Sequence, residues 1–144
     1  MYKKILVPLD GSPLAEGVLP QVEYLAKLTG AEVCVLRVVR VHTFPGVDPT
    51  EAEYALKEQA ESYLAGVAGR LRDKGLEVSV HLRFGHEAEE ILDQARDADL
   101  VAMSTHGRTG LGRWAMGGVA ERVLRHCPVP VLLCRSGEGS RRSP

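Results

Sequence analysis

Four short runs in this chain are apolar almost without interruption: residues 4–9 (KILVPL), 32–39 (EVCVLRVV), 100–103 (LVAM) and 129–134 (VPVLLC). Runs of that length and character suit strands buried on both faces, which occur in parallel sheets covered by helices on either side. Parallel strands need crossover connections, and the segments between these runs have the length and punctuation of helices. A fifth run, residues 77–84 (EVSVHLRF), alternates strictly. Val78, Val80, Leu82 and Phe84 are apolar, while Glu77, Ser79, His81 and Arg83 are polar. That alternation predicts an edge strand with one wet face.

The helical segments carry recognisable signals. Ser12 is a good N-cap and Pro13 fits the first helical position. Val18, Val22, Leu25 and Thr29 then share a face, and Gly30 closes the helix. Pro20 lies inside that helix and predicts a kink, not a break. After a loop over residues 40–49, Thr50-Glu51-Ala52-Glu53 matches a capping box, and a long helix is expected to about Lys74, closed by Gly75. Gly85-His86 leads into a helix whose first turn holds Glu87, Glu89 and Glu90, with Ile91, Leu92 and Ala95 on its inner face. A last helix of about ten residues carries Val119, Val123 and Leu124, and Pro128 stops it. Five strands alternating with four helices predict an α/β, doubly wound five-stranded parallel sheet with right-handed crossovers, Rossmann-like in build.

With 144 residues, the chain is expected to form one domain over 1–135 with a disordered tail, 136–144, too polar and glycine-rich to order itself. A formal net charge of −1 gives no electrostatic reason to expect nucleic acid or an anionic membrane as partner. The N-terminal apolar run is too short for a signal peptide and no segment approaches a membrane span, so a cytoplasmic location is expected. Cys34, Cys127 and Cys134 form no CxxC pair and are read as reduced thiols, with Cys34 and Cys134 inside strand-like runs.

Residues 99–119 (DLVAMSTHGRTGLGRWAMGGV) hold the most chemistry. A buried strand runs into Ser104-Thr105-His106-Gly107-Arg108-Thr109-Gly110-Leu111-Gly112-Arg113, and a helix starts near Met116-Gly117-Gly118. Glycines allow close backbone approach, and loop amides together with a helix N-terminus favour an anion. Arg108 and Arg113 add charge suited to phosphate. Ligands of doubly wound sheets sit at the carboxyl ends of strands where the order reverses. Pro8, Leu9 and Asp10, at the end of the first strand, would then face the same crevice, giving a mononucleotide site.

Plainer readings stay open for each feature. The glycines fit a tight turn, Asp10 a cap, His106 a surface position, both arginines solvated charges, and Trp114 a packing anchor. Gly110 to Ala115 formally matches GxGxxA but follows the wrong strand and lacks an acid about 20 residues on. No Walker GxxxxGK[ST] and no GxSxG occurs, and no general base is positioned by spacing.

These residues resemble the universal stress protein family along nearly the whole chain, roughly residues 2–135. The carriers are residues 4–12 (KILVPLDGS), 103–118, 119–124 (VAERVL) and 128–132 (PVPVL). The family's nucleotide-binding branch shows Gly, two residues, Gly, nine residues, Gly, then Ser or Thr. Here Ser104, Gly107, Gly117 and Gly118 stand at those positions, so the first and the last depart. Gly118 lacks a hydroxyl that could bond phosphate, worth about 1 kcal/mol.

The resemblance implies the strand order 3-2-1-4-5 and a site for ATP with Mg²⁺, AMP or ADP remaining open. It implies that Pro8 and Asp10 line the base and ribose side and that the Val38 backbone contacts adenine. Met103, Ser104, His106, Gly107, Arg108, Gly117, Gly118 and Val119 would surround ribose and phosphates. It further implies a homodimer paired through the last strand, Val129 to Cys134, which is apolar throughout and hazardous as a bare edge. An ATP-binding stress-response protein, with the nucleotide as regulatory ligand, is the leading reading. A nucleotide-independent scaffold of the same fold and a slow ATPase or adenylyl-transferring relative are the alternatives.

Overall fold

The computed structural model of the chain describes residues 2–40, 46, 48–106 and 116–135. Strands β1 (Lys4–Pro8), β2 (Glu32–Val39), β3 (Val78–Phe84), β4 (Leu100–Ser104) and β5 (Val131–Cys134) form one sheet in the order β3-β2-β1-β4-β5, every neighbouring pair parallel. Both the doubly wound class and the 3-2-1-4-5 order agree with expectation. Four helical connections join the strands: α1 (Pro13–Glu16) with α2 (Leu19–Thr29), α3 (Pro49–Asp73), α4 (Glu87–Ala95) and α5 (Gly118–His126).

The apolar runs place the sheet because both faces of β1 need cover. Ile5, Leu6 and Val7 are each 0% exposed. Ile5 and Val7 pack with Val22 of α2 and Leu64 and Val67 of α3, whereas Leu6 packs with Ile91 of α4 and Val123 of α5. Two cores therefore sandwich one sheet, α1–α3 on one side and α4–α5 on the other. Among the described residues no helix is long and apolar enough to cross a membrane. Cys34, Cys127 and Cys134 are free thiols, and burial pushes the pKa of Cys34 and Cys134 up.

Several local expectations are corrected. Pro20 does not kink one helix, because the helix divides into α1 and α2 around Gly17 and Val18. Gly17 N–H bonds back to Leu14 O (3.2 Å) and closes α1, Pro20 offers no N–H to the Glu16 carbonyl, and α2 starts afresh with Pro20 in its first turn. At the start of α3 the N-cap is Asp48, which accepts from Thr50 N–H at 3.0 Å, and not a Thr50 capping box. Pro49 takes the first helical position, for which its fixed φ is suited.

Strand β5 begins at Val131, two residues later than expected, since Pro130 has no N–H for the ladder; its carbonyl still accepts from Val101 N–H at 3.0 Å. On α5, Ala120 and Val123 are buried and Leu124 stands out to solvent. Strand β3 is the edge strand expected, but its apolar face is only partly covered: Val78 and Leu82 touch the core while Val80 and Phe84 stay 40% and 39% exposed. The tail expected over residues 136–144 lies outside the described residues.

Asp99 fastens the amino end of the sheet. Its carboxylate accepts from the N–H groups of Lys3 (2.9 Å) and Lys4 (3.0 Å), and its own N–H donates to Lys4 O (2.9 Å). Those two donors hold the Asp99 carboxyl below the usual carboxylate range. A depressed pKa contributes stability above the unfolded value of about 3.9 that is lost as pH falls through the folded value. Asp99→Asn should therefore lower Tm at pH 7, and the gap from wild type should close below about pH 4. A gap that stays constant in thermal melts from pH 7 to pH 2.5 would remove the carboxylate from this role.

Candidate functional site

A cavity of about 450 Å³ opens at the carboxyl ends of β1, β2 and β4. It lies where the strand order reverses, between β1 and β4, because the α1–α3 connections leave in one direction and α4–α5 in the other. Pro8, Leu9, Asp10, Val38, Met103, Ser104, His106, Gly117, Gly118 and Val119 all line it. Gly107 and Arg108, with Gly110, Gly112, Arg113 and Trp114, lie outside the described residues.

The end of β1 is built as a turn. Leu9 N–H donates to Leu36 O at 2.8 Å, which carries the pairing with β2 one residue beyond the strand. One Asp10 carboxylate oxygen accepts from Ser12 N–H (2.9 Å) and from the Ser12 hydroxyl (2.6 Å), and that hydroxyl accepts from Ala15 N–H (3.2 Å). Asp10 thus shapes the turn that caps α1 and lines the cavity as well.

The end of β4 is held by backbone bonds. Thr105 N–H donates to Cys134 O (2.9 Å), and Gly117 N–H donates to Thr105 O (2.8 Å), which closes the connection between β4 and α5 at its base. Ser104 is buried and its hydroxyl donates to Ala15 O at 3.2 Å, tying β4 to α1. His106 Nδ1 lies 3.3 Å from the Thr105 hydroxyl, and its Nε2 is buried.

The N-terminus of α5 is the cavity's anion-favouring element. Gly117 is its N-cap, with no side-chain capping bond, so the first amides of the helix lack intrahelical partners. The two glycines differ. A Cβ on Gly117 would sit 3.1 Å from Thr105 O, whereas a Cβ on Gly118 would meet nothing within 4 Å. A side chain at Gly117 would therefore press on the backbone and not project freely into the cavity.

Residues that the sequence reading did not assign to the site also line the cavity. Arg37 and Arg40 come from the end of β2, Leu56 from α3, and Glu87 and Ile91 from α4. The signal that could have found Glu87 is topological: a helix following a parallel strand begins at the sheet's carboxyl edge, where the site is. Among the described residues no group of three or more His, Cys, Asp or Glu side chains is placed to hold a metal ion.

Residues 1–135 match the Universal stress protein family. The chain belongs to that family. It is 37% identical over 141 residues to universal stress protein MJ0531 of Methanocaldococcus jannaschii, covering 92% of this chain and 82% of the relative. The solved structure of the hypothetical protein MJ0577 superposes with a TM-score of 0.85 at 32% identity, over 96% of this chain and 99% of the other. A universal stress protein family member from Arabidopsis thaliana, solved with AMP bound, shares the fold with a TM-score of 0.69 at 15% identity, over 94% of this chain and 92% of its own.

The unequal surroundings of the two glycines are measurable. Gly117→Ala should lower Tm, since either Thr105 O or the start of α5 must move. Gly118→Ala should raise Tm by roughly 2–3 °C, from the lower entropy of the unfolded chain at a position with room for the methyl group. Equal shifts of the same sign in calorimetric melts would contradict this geometry.

Proposed function

We propose that this universal stress protein binds ATP in the cavity at the carboxyl edge of its sheet, and that the nucleotide is a regulatory ligand in a cytoplasmic homodimer. The observation that carries the reading is the pairing of the α5 N-terminus, whose N-cap Gly117 makes no side-chain bond, with the wall that Leu36, Val38, Leu56 and Ile91 build beside β2, on the two sides of Asp10. A cavity of about 450 Å³ suits a mononucleotide. The phosphates would take the α5 amides beside Ser104 and His106, with Gly107 and Arg108 completing the loop. The ribose would lie at Pro8 and Asp10, with Met103 and Val119 beside it, and the base against Val38. That the same fold holds AMP in the Arabidopsis protein is in keeping with this.

Mg²⁺ would arrive on the phosphates, whose charge it neutralises. The donor set fits that role, because Asp10 lines the cavity and, among the described residues, no group of three or more carboxylates forms a dedicated cage.

Regulation has a path through the backbone. Thr105 bonds both Gly117, at the phosphate end, and Cys134, at the end of β5. A ligand that binds one arrangement of that junction better than another shifts its population, and β5 feels the shift. Strand β5 is a bare edge whose four residues are all half-buried, and pairing with a second copy through residues 129–134 would cover it. Leu132→Lys should move the sedimentation profile from dimer toward monomer, and a profile identical to wild type would count against pairing through this edge.

The deciding experiment is calorimetric titration of nucleotide-stripped protein with ATP and Mg²⁺, with AMP for comparison. Micromolar ATP binding and weaker AMP binding are expected. Gly118→Ser, which supplies the hydroxyl at an open position, should tighten ATP by about fivefold, one ordinary hydrogen bond. Gly118 is also what favours the second reading, a nucleotide-independent scaffold. No heat with any adenine nucleotide would establish that reading and sink the first.

A further inference from the structure

Three acids open α4, and the structure separates their roles. Glu89 pairs with Arg122 of α5 at 3.2 Å, and Glu90 pairs with Arg83 of β3 at 3.1 Å. Glu87 has no hydrogen-bond or ion-pair partner among the described residues, is half-buried, and lines the cavity. Ile91, one turn further along the same helix face, is buried in the cavity wall. The helix therefore presents one unpaired carboxylate to the site, above an apolar floor.

Its place in the cavity decides what it can meet. α4 packs against α5 and across β2 and β1, while α5 begins at the end of β4, with β1 between β2 and β4. Two interstrand spacings separate the ends by about 10 Å, comparable to the distance from a nucleotide's base to its phosphates. An ionised carboxylate only accepts hydrogen bonds and repels phosphate. With Arg37 and Arg40 also on the β2 side of the cavity, Glu87 favours one direction for a nucleotide, with phosphates at α5 and a donor-bearing base edge at α4.

Resting on the nucleotide reading above, we infer that Glu87 is a specificity-determining residue that accepts a hydrogen bond from the exocyclic 6-amino group of a purine. Adenine offers that N–H donor, whereas guanine and hypoxanthine place an acceptor oxygen at the same position, which the carboxylate repels. Discrimination between 6-amino and 6-oxo purines is larger than apolar packing alone would supply, because the wrong base leaves a desolvated charge facing a lone pair.

The test is titration of wild type, Glu87→Gln and Glu87→Ala with ATP and with inosine triphosphate, alongside thermal melts. Wild type should bind ATP at least about tenfold more tightly than inosine triphosphate, the scale of a charge-assisted hydrogen bond. Glu87→Gln, whose amide can also donate to a 6-oxo group, should lower that ratio about tenfold, and Glu87→Ala, which removes both the acceptor and the repulsion, should weaken ATP and tighten inosine triphosphate. ATP binding in wild type with the same ratio in all three proteins would overturn the assignment and leave the nucleotide site standing. A lower Tm with an unmoved ratio would likewise reduce Glu87 to a helix-dipole role. Wild type that binds neither nucleotide would overturn both the assignment and the site.

Discussion

Parallel pairing on both sides of β1 is the constraint from which the rest follows. With every strand running the same way, all carboxyl ends fall on one edge, and the chain must return across a face of the sheet after each strand. The first two returns go over one face and the last two over the other, so nothing in the connectivity covers the gap between β1 and β4. Leu6 and Val7 cannot be exposed without losing burial on two faces at once, which fixes β1 at the centre. The cavity is thus a by-product of satisfying the apolar strands, and its walls are the first residues after each of them.

Those wall residues lie past the ends of the ladder, and each finds another partner for its backbone. Leu9 bonds Leu36, Thr105 bonds Cys134, and Gly117 bonds Thr105. Side chains brace the same edge from outside. Glu16 of α1 accepts from the Tyr63 hydroxyl at 2.5 Å and from Arg70 at 3.2 Å, both on α3. Burial, reinforced by the Glu16 carboxylate, raises the Tyr63 pKa far enough to keep the phenol protonated at any physiological pH. The exposed ion pairs, such as Arg125 with Glu121, add little beside these contacts. Rigidity at the site therefore comes from buried strands and backbone bonds and not from surface charge.

Strands were legible because a run such as residues 32–39 carries its own evidence: unbroken apolar character has few other uses. Strand order was not a matter of composition, and it came with the family resemblance carried by residues 4–12 and 103–118. Local rules misled where two of them competed. Thr50 and Asp48 both make valid caps, and Pro49 decides for Asp48 because proline suits the first helical position. Pro20 was expected to bend a helix, but a helix of only a few turns has little ladder to hold it together across a missing bond. Leu124 and Ala120 show a different limit. Periodicity says that α5 has an apolar face, while the rotation of that face is set by packing against α4. Most of the cavity wall could be named from strand ends; Glu87 needed the topology as well, since its local signal, an acid in a first helical turn, is satisfied by the dipole alone.

The two departures from the family's glycine pattern have unequal physical consequences. Ser104 brings a side chain to a position where close approach is expected, but its hydroxyl is directed at Ala15 O, 3.2 Å away on α1. Gly17 stands opposite, where even an added Cβ would lie 3.8 Å from that hydroxyl, so the serine fits without displacing the backbone around it. The bond it makes also steadies α1, a helix of four residues that Pro20 separates from α2. Gly118 brings no such compensation. A Cβ there would meet nothing within 4 Å, and Gly117, the N-cap of α5, makes no side-chain capping bond, so among the described residues the helix end presents amides alone. Amides without a hydroxyl still favour an anion, through the dipole and unpaired N–H groups. Base selectivity in the proposed site would have to come from its other end, beside β2, where the Glu87 carboxylate lines the cavity from α4.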